Sequence, residues 1–215
     1  MRSFELNIQT DHAELKPEDC QWQASAEAIH DDILVIRNGL PHLRKLVIIA
    51  DARPEMFEKS LVVDSNSKAY EDPNHRPNSH FGLSADRLPD ELSVYHMVCE
   101  GVKSTFIQVY VEMINPFAKA AGCLGYNLLR YQPGEFFDTH VDVVRGHPTY
   151  VARQISVVAF CNQGFKGGEL YFPRQQVRIE PEAGAVVLFP SAYTHPHASL
   201  PVHEGTKYSV VTWYY

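Results

Sequence analysis

The sequence predicts an α+β chain in which a helical amino-terminal half supports a carboxy-terminal β-sandwich or barrel. Two observations carry this expectation. Across residues 89–114, Tyr95, Val98, Val102, Phe106, Val109 and Met113 recur at steps of three and four, the spacing of one helix face. After Gly122 that period gives way to short runs of β-branched and aromatic residues. Pro133-Gly134, Gly146-His147-Pro148, Gly164, Gly167-Gly168 and the 181–184 segment separate them, as expected for many short strands. The 215 residues can bury a sizeable core, so 1–215 reads as one domain, with 1–121 as support and 122–215 as the core.

In chain order, residues 1–30 show no clear pattern. Residues 32–36 are an apolar run closed by Asn38-Gly39 and read as a strand. Pro41 suits the first turn of a helix, and Leu43, Leu46, Val47 and Ala50 form its apolar stripe. Residues 63–81 are dense in Asp, Asn, Ser and Pro, which predicts a long loop and a candidate substrate lid, with Tyr70 and Phe81 as its apolar contacts. Pro116 ends the long helix. Strands are expected at 126–131, 136–144, 151–161, 169–173, 176–179, 185–189 and 207–215.

Composition narrows the function. The formal charge of −7 and the lack of a Lys/Arg run disfavour a nucleic-acid backbone as partner. The four cysteines are scattered without a C-x-x-C pair, which favours free thiols in a reducing, cytoplasmic setting. No signal-like h-region opens the sequence, and no apolar run is long enough to span a bilayer.

The chemistry is concentrated in His140-Val141-Asp142 and the His195-Pro196-His197 segment. Positions i and i+2 of a strand share a face, so His140 and Asp142 converge on one side. A further histidine completes a two-imidazole, one-carboxylate set. Such a set leaves coordination positions open and suits non-haem Fe(II), whereas thiolates would steer toward zinc or clusters. His195 and His197 both stand where the third donor is needed.

The blocks LLRYQPGEFFDTHVD, RQISVVAFCN, GGELYFP, AGAVVLFPS and HASLPVHEGTKYSVVTWYY resemble, in order, the catalytic core of the Fe(II)- and 2-oxoglutarate-dependent dioxygenases of the prolyl 4-hydroxylase-like branch. The resemblance covers 126–215 and implies a double-stranded β-helix, a jelly roll with the metal at its mouth. It implies His140, Asp142 and His197 as iron ligands, because the stretch from His197 to Lys207 follows the family's spacing without a gap and that from His195 does not. Lys207 would anchor the distal carboxylate of 2-oxoglutarate, and Tyr131 would bond the same co-substrate. Arg153 and Trp213 would border the substrate. Fe(II), 2-oxoglutarate and O2 are the implied cofactor and co-substrates, with ascorbate as a stimulant. Asp142 favours hydroxylation, since the related halogenases lack this carboxylate. The implied activity is hydroxylation of a prolyl residue in a peptide or protein. A free amino acid or small metabolite is the alternative substrate, and a non-catalytic metal-binding jelly roll the alternative class.

Overall fold

A computed structural model describes residues 3–10, 16–30, 32–64, 66, 68–83, 90–144, 146–147 and 149–215. The amino-terminal half contributes strands β1 (Ser3–Gln9), β2 (Gln21–His30) and β3 (Ile33–Arg37), then helix α1 (Leu43–Ala52). Short strands β4 (Glu58–Lys59), β5 (Val62–Val63) and β6 (Ala69–Tyr70) lead to β7 (Ser79–Leu83) and the long helix α2 (Asp90–Met113). The carboxy-terminal half holds β8 (Tyr126–Tyr131), β9 (Phe137–His140), β10 (Ile155–Phe160), β11 (Lys166–Gly167), β12 (Leu170–Phe172) and β13 (Val177–Ile179). It ends with β14 (Val186–Pro190), β15 (His197–Ser199), β16 (Val202–Glu204) and β17 (Lys207–Tyr214).

Two antiparallel sheets face each other across the site, as a jelly roll requires. The larger has the order β1-β2-β3-β14-β10-β17-β8-β7-β4, and the smaller β13-β12-β15-β9. Strand alternation decides which residues reach which side. On β17, Tyr208, Val210 and Tyr214 join the core under the helices, while Lys207, Ser209, Val211 and Trp213 line a cavity between the sheets. On β8, Tyr126 and Leu128 face the helices, and Asn127, Leu129 and Tyr131 face the cavity. Both faces agree with the alternation expected from sequence.

Helix α2 follows its predicted stripe. Leu92, Tyr95, Val98, Val102, Phe106 and Val109 are buried against the outer face of the larger sheet. Fully burying each such side chain stabilises by about 1.5–3 kcal/mol, so this seam holds the helices on the sheet.

The amino-terminal region is richer in strands than its sequence pattern suggested. Phe4, Leu6 and Ile8 alternate with polar residues on β1, a period-two signal in the stretch that read as unpatterned. On β2 the alternation runs through Trp22, Ala24, Ala26 and Ala28, and alanine gives little contrast. These strands extend the larger sheet through β3, which pairs with β14. The expected long loop at 63–81 likewise carries the β5–β6 pair and ends in β7, which pairs with β8. Phe81 packs into the core under the helices, not toward Trp213, because it sits opposite Leu128 on the outer face. Tyr70 remains exposed.

Gly101 shows how tightly α2 meets the amino-terminal strands. A methyl group there would stand 3.3 Å from Thr10 Cβ and closer still to its hydroxyl. Replacing a mid-helix glycine by alanine ordinarily stabilises by about 0.5–1 kcal/mol. Here Gly101→Ala is expected to lower Tm instead, and Thr10→Ala in the same chain to recover part of the loss. Thermal unfolding of the two single variants and the double variant checks this.

Candidate active site: a histidine–aspartate cluster above a buried lysine

His140 ends β9 and His197 begins β15, and the antiparallel register sets them directly opposite each other. Their rings lie 4.4 Å apart, centroid to centroid. Strand β9 stops at His140, so Asp142 lies in a bend beyond the ladder. The Ser191 carbonyl accepts the N–H groups of Asp142 and Val143 at 3.1 and 3.2 Å and keeps this segment aligned with the sheet. One carboxylate oxygen of Asp142 is 3.6 Å from His140 Nε2, and the other is 3.6 Å from His197 Nε2. Donor atoms of the three residues all lie within 4.8 Å of one another.

The donors are prepared for a cation. His140 Nδ1 meets the Asp138 carbonyl at 2.7 Å, and His197 Nδ1 meets the His195 carbonyl at 3.2 Å. A carbonyl only accepts, so each Nδ1 carries the proton and each Nε2 presents a lone pair toward Asp142. Burial lowers His197 to about 4, which keeps it neutral at physiological pH. Burial opposes ionisation of Asp142. Protonation of His197 as pH falls, together with the Ser156 hydroxyl, outweighs this and holds the carboxyl below its ordinary range. Two imidazole Nε2 atoms and a carboxylate, separated by more than hydrogen-bonding distance, fit a divalent iron.

Supporting contacts fix these groups. Ser156 donates to Asp142 Oδ2 at 2.5 Å and meets the Ser191 hydroxyl at 2.8 Å. Phe137 stacks on His140 at 3.5 Å, and the Arg76 guanidinium lies over the Phe137 ring, 4.4 Å from its centroid. His195 is outside the donor cluster. Its Nδ1 faces Thr194 Oγ1 at 3.0 Å, and its contribution is the backbone carbonyl that orients His197.

Lys207 lies 2 % exposed on the same cavity. Its ammonium donates to the Gly168 carbonyl at 2.6 Å and the Ser199 hydroxyl at 2.7 Å. Gly168 adopts φ +73, and a Cβ there would press on the lysine stem at 3.0 Å, so this glycine serves the pocket as well as the turn. No carboxylate of the described residues lies within ion-pair distance of Lys207, and burial lowers its pKa to about 7. Tyr131 stands opposite Lys207 in the ladder, its ring 4.9 Å from the ammonium. Burial raises the Tyr131 hydroxyl to about 12, so it remains a donor. An anion entering here meets a lysine, a tyrosine and a serine in a dry pocket, the setting in which charge-assisted hydrogen bonds are strongest.

The cavity has a volume of about 560 Å³, with Leu129, Val141, Val144, Val158 and Val211 among its apolar walls. At its rim the Arg153 guanidinium is sandwiched between Tyr150 at 3.8 Å and Trp213 at 3.6 Å. Its Nη1 donates to the Asp142 carbonyl at 2.9 Å. Thus His140, Asp142, His197, Lys207, Tyr131, Arg153 and Trp213 all line one cavity. Sequence reasoning missed Ser156, Ser191, Ser199, Phe137 and Arg76. Ser156 and Ser199 had a legible signal: one interrupts an apolar strand on the inward phase, the other stands two residues after His197. Arg76 had none.

A jelly roll with this donor set and an anion pocket fits a divalent iron beside an anionic co-substrate. Residues 126–215 match the family model described as 2OG-Fe(II) oxygenase superfamily. Prolyl 3-hydroxylase 1 of Gallus gallus is 25 % identical over 153 residues, covering 65 % of this chain and 18 % of that protein. The chain therefore spans less than a fifth of that relative. Two solved structures share the fold. A prolyl hydroxylase from Trichoplax adhaerens, in complex with a hypoxia inducible factor peptide fragment, superposes with TM-score 0.68 at 18 % identity, over 86 % of this chain and 84 % of that one. A Pseudomonas putida prolyl-4-hydroxylase superposes with TM-score 0.60 at 20 % identity, over 86 % and 92 %. Fe(II), 2-oxoglutarate and O2 are the cofactor and co-substrates of this class. None of the described helices is long and apolar enough to cross a membrane.

Two outcomes follow from the geometry. Ser156→Ala leaves Asp142 Oδ2 without its hydroxyl donor, and loss of such a supporting contact weakens metal binding by about ten- to a hundred-fold. Ser156→Thr keeps the hydroxyl and should restore affinity, as read by Mn(II) titration. For Lys207, the folded pKa of about 7 lies below its ordinary 10.5, so the unfolded chain holds the extra proton between those values. Stability of the unliganded protein should therefore rise with pH across that window. Lys207→Met should abolish this rise and increase Tm near pH 7, while 2-oxoglutarate affinity falls by about ten- to a hundred-fold, the worth of a charge-assisted hydrogen bond.

Proposed function

We propose that this chain is a 2-oxoglutarate-dependent dioxygenase, prolyl 4-hydroxylase-like, that hydroxylates a prolyl residue of a peptide or protein. The observation that carries the reading is the sharing of one cavity by the His140–Asp142–His197 cluster, the buried Lys207 and an aromatic, basic rim. The names of the relatives in Gallus gallus, Trichoplax adhaerens and Pseudomonas putida support the substrate class.

His140, Asp142 and His197 would hold Fe(II), and Lys207, Tyr131 and Ser199 would hold the distal carboxylate of 2-oxoglutarate. The bound metal and oxoacid supply the oxidation: O2 is reduced, 2-oxoglutarate becomes succinate and CO2, and one oxygen atom enters a C–H bond. The protein's share is geometric and electrostatic. Ser156 and the Ser191 carbonyl orient Asp142, and the Nδ1 contacts set both imidazoles. The valines and Leu129 exclude water from the reacting C–H bond. Arg153, clamped by two aromatic rings, offers a rigid donor where substrate enters.

Incubation with Fe(II), 2-oxoglutarate, O2 and a panel of proline-containing peptides tests the reading. A peptide should gain the mass of one oxygen atom with one equivalent of succinate, and Asp142→Ala should abolish both. Product NMR then distinguishes C3 from C4 of the ring. Succinate formation that no peptide accelerates, with no peptide oxidised, would overturn the peptide reading.

A further inference from the structure

We propose that the substrate carries a carboxylate beside the hydroxylated residue, and that Arg76, with Arg153, selects for it. This rests on the prolyl reading above and refines its substrate class.

Arg76 lies between β6 and β7 and reaches into the cavity that holds the histidine–aspartate cluster. Its Nη1 donates to the Leu61 carbonyl at 2.9 Å, and its Nε meets Asn78 Oδ1 at 3.4 Å. The guanidinium also lies over Phe137. The adjacent backbone is pinned as well: the Asp138 N–H donates to the His75 carbonyl at 2.9 Å, and the Arg76 N–H to the Asp72 carbonyl at 2.7 Å. This is a fixed arginine and not a loose surface one. Arg153 lines the same cavity, and its Nε is buried without a partner among the described residues.

Neither guanidinium lies within ion-pair distance of a carboxylate of the described residues. Asp142, the acid lining this cavity, is turned toward the two imidazoles. The charges of the loaded site sharpen the point. Divalent iron and Lys207 balance Asp142 and the two carboxylates of 2-oxoglutarate. Arg76 and Arg153 then remain as surplus positive charge in a largely apolar space. Both arginines are half-buried, where an added partner strengthens a charge, and a guanidinium fork pairs best with a carboxylate. A neutral peptide could offer carbonyls to these donors but would leave the charge unbalanced. Two sources supply the matching group: an Asp or Glu side chain next to the target proline, or the α-carboxylate of a terminal or free proline.

The test uses the full chain loaded with Mn(II) and 2-oxoglutarate without O2, and reads the binding of matched probes. These are a peptide with Glu after the proline, its Gln counterpart, a neutral peptide ending in proline as acid and as amide, and free proline against its amide. The carboxylate member of at least one pair should bind about ten- to a hundred-fold tighter than its neutral partner. Arg76→Gln should bring that ratio toward one, and Arg76→Lys should keep part of it, with thermal unfolding confirming that both variants fold. Which pair responds identifies the source. Equal binding within every pair overturns the inference, and the prolyl reading survives if those peptides are still hydroxylated under Fe(II) and O2. A response confined to free proline keeps the inference and overturns the peptide reading. Absence of binding by all probes overturns both.

Discussion

The antiparallel pairing that sets His140 against His197 is the contact on which the site depends. Side chains of a strand alternate between faces, so a one-residue slip of β9 against β15 would turn one imidazole away. The register is protected from several directions. Phe137 packs on the ring of His140, the Ser191 carbonyl extends the alignment past the strand end, and the His75 carbonyl caps the open edge of β9. The Ser191 and His75 contacts come from distant parts of the chain. The metal-binding geometry is therefore a property of the whole jelly roll and not of the His-Val-Asp tripeptide.

The same cavity holds its charges at a cost to the folded chain. Lys207 is buried beside neutral acceptors, Asp142 is buried beside two imidazoles, and the half-buried Arg76 and Arg153 line the same cavity without a carboxylate partner among the described residues. Isolated buried charges destabilise a protein, and the proposed occupants would offset that cost. The metal, the oxoacid and an anionic substrate would each relieve a different one. The surrounding core provides the stability for this, with α2 and the strands of the larger sheet burying a continuous apolar seam on the opposite face.

The legible part of the fold follows from periodicity. The step of three and four in α2, and the β-branched and aromatic runs of β8 and β17, gave the element type, and the strand period of two then separated the residues of each face. Strand β2 had alanine where contrast was needed, and 63–81 was so rich in turn formers that β7 was hidden at its end. The segment expected as a lid borders the cavity through Val63, Ala69, His75 and Arg76, and backbone pairing ties it to β9 and β8.

By itself, the sequence determined the donor types, their spacing and the length of chain between them, because coordination chemistry admits few residue types, while the bend that brings in Asp142 lies beyond the strand that alternation describes. It also placed Lys207, Ser209, Val211 and Trp213 on one face of the last strand. Only the tertiary structure decided the support: that Ser156 bonds Asp142, that Gly168 and Ser199 hold Lys207, and that Arg76 arrives from a distant turn. Those contacts join segments far apart in the chain. Local pattern carries no record of them, since hydrogen bonds and charge pairs are chosen by distance in space and not by separation in sequence.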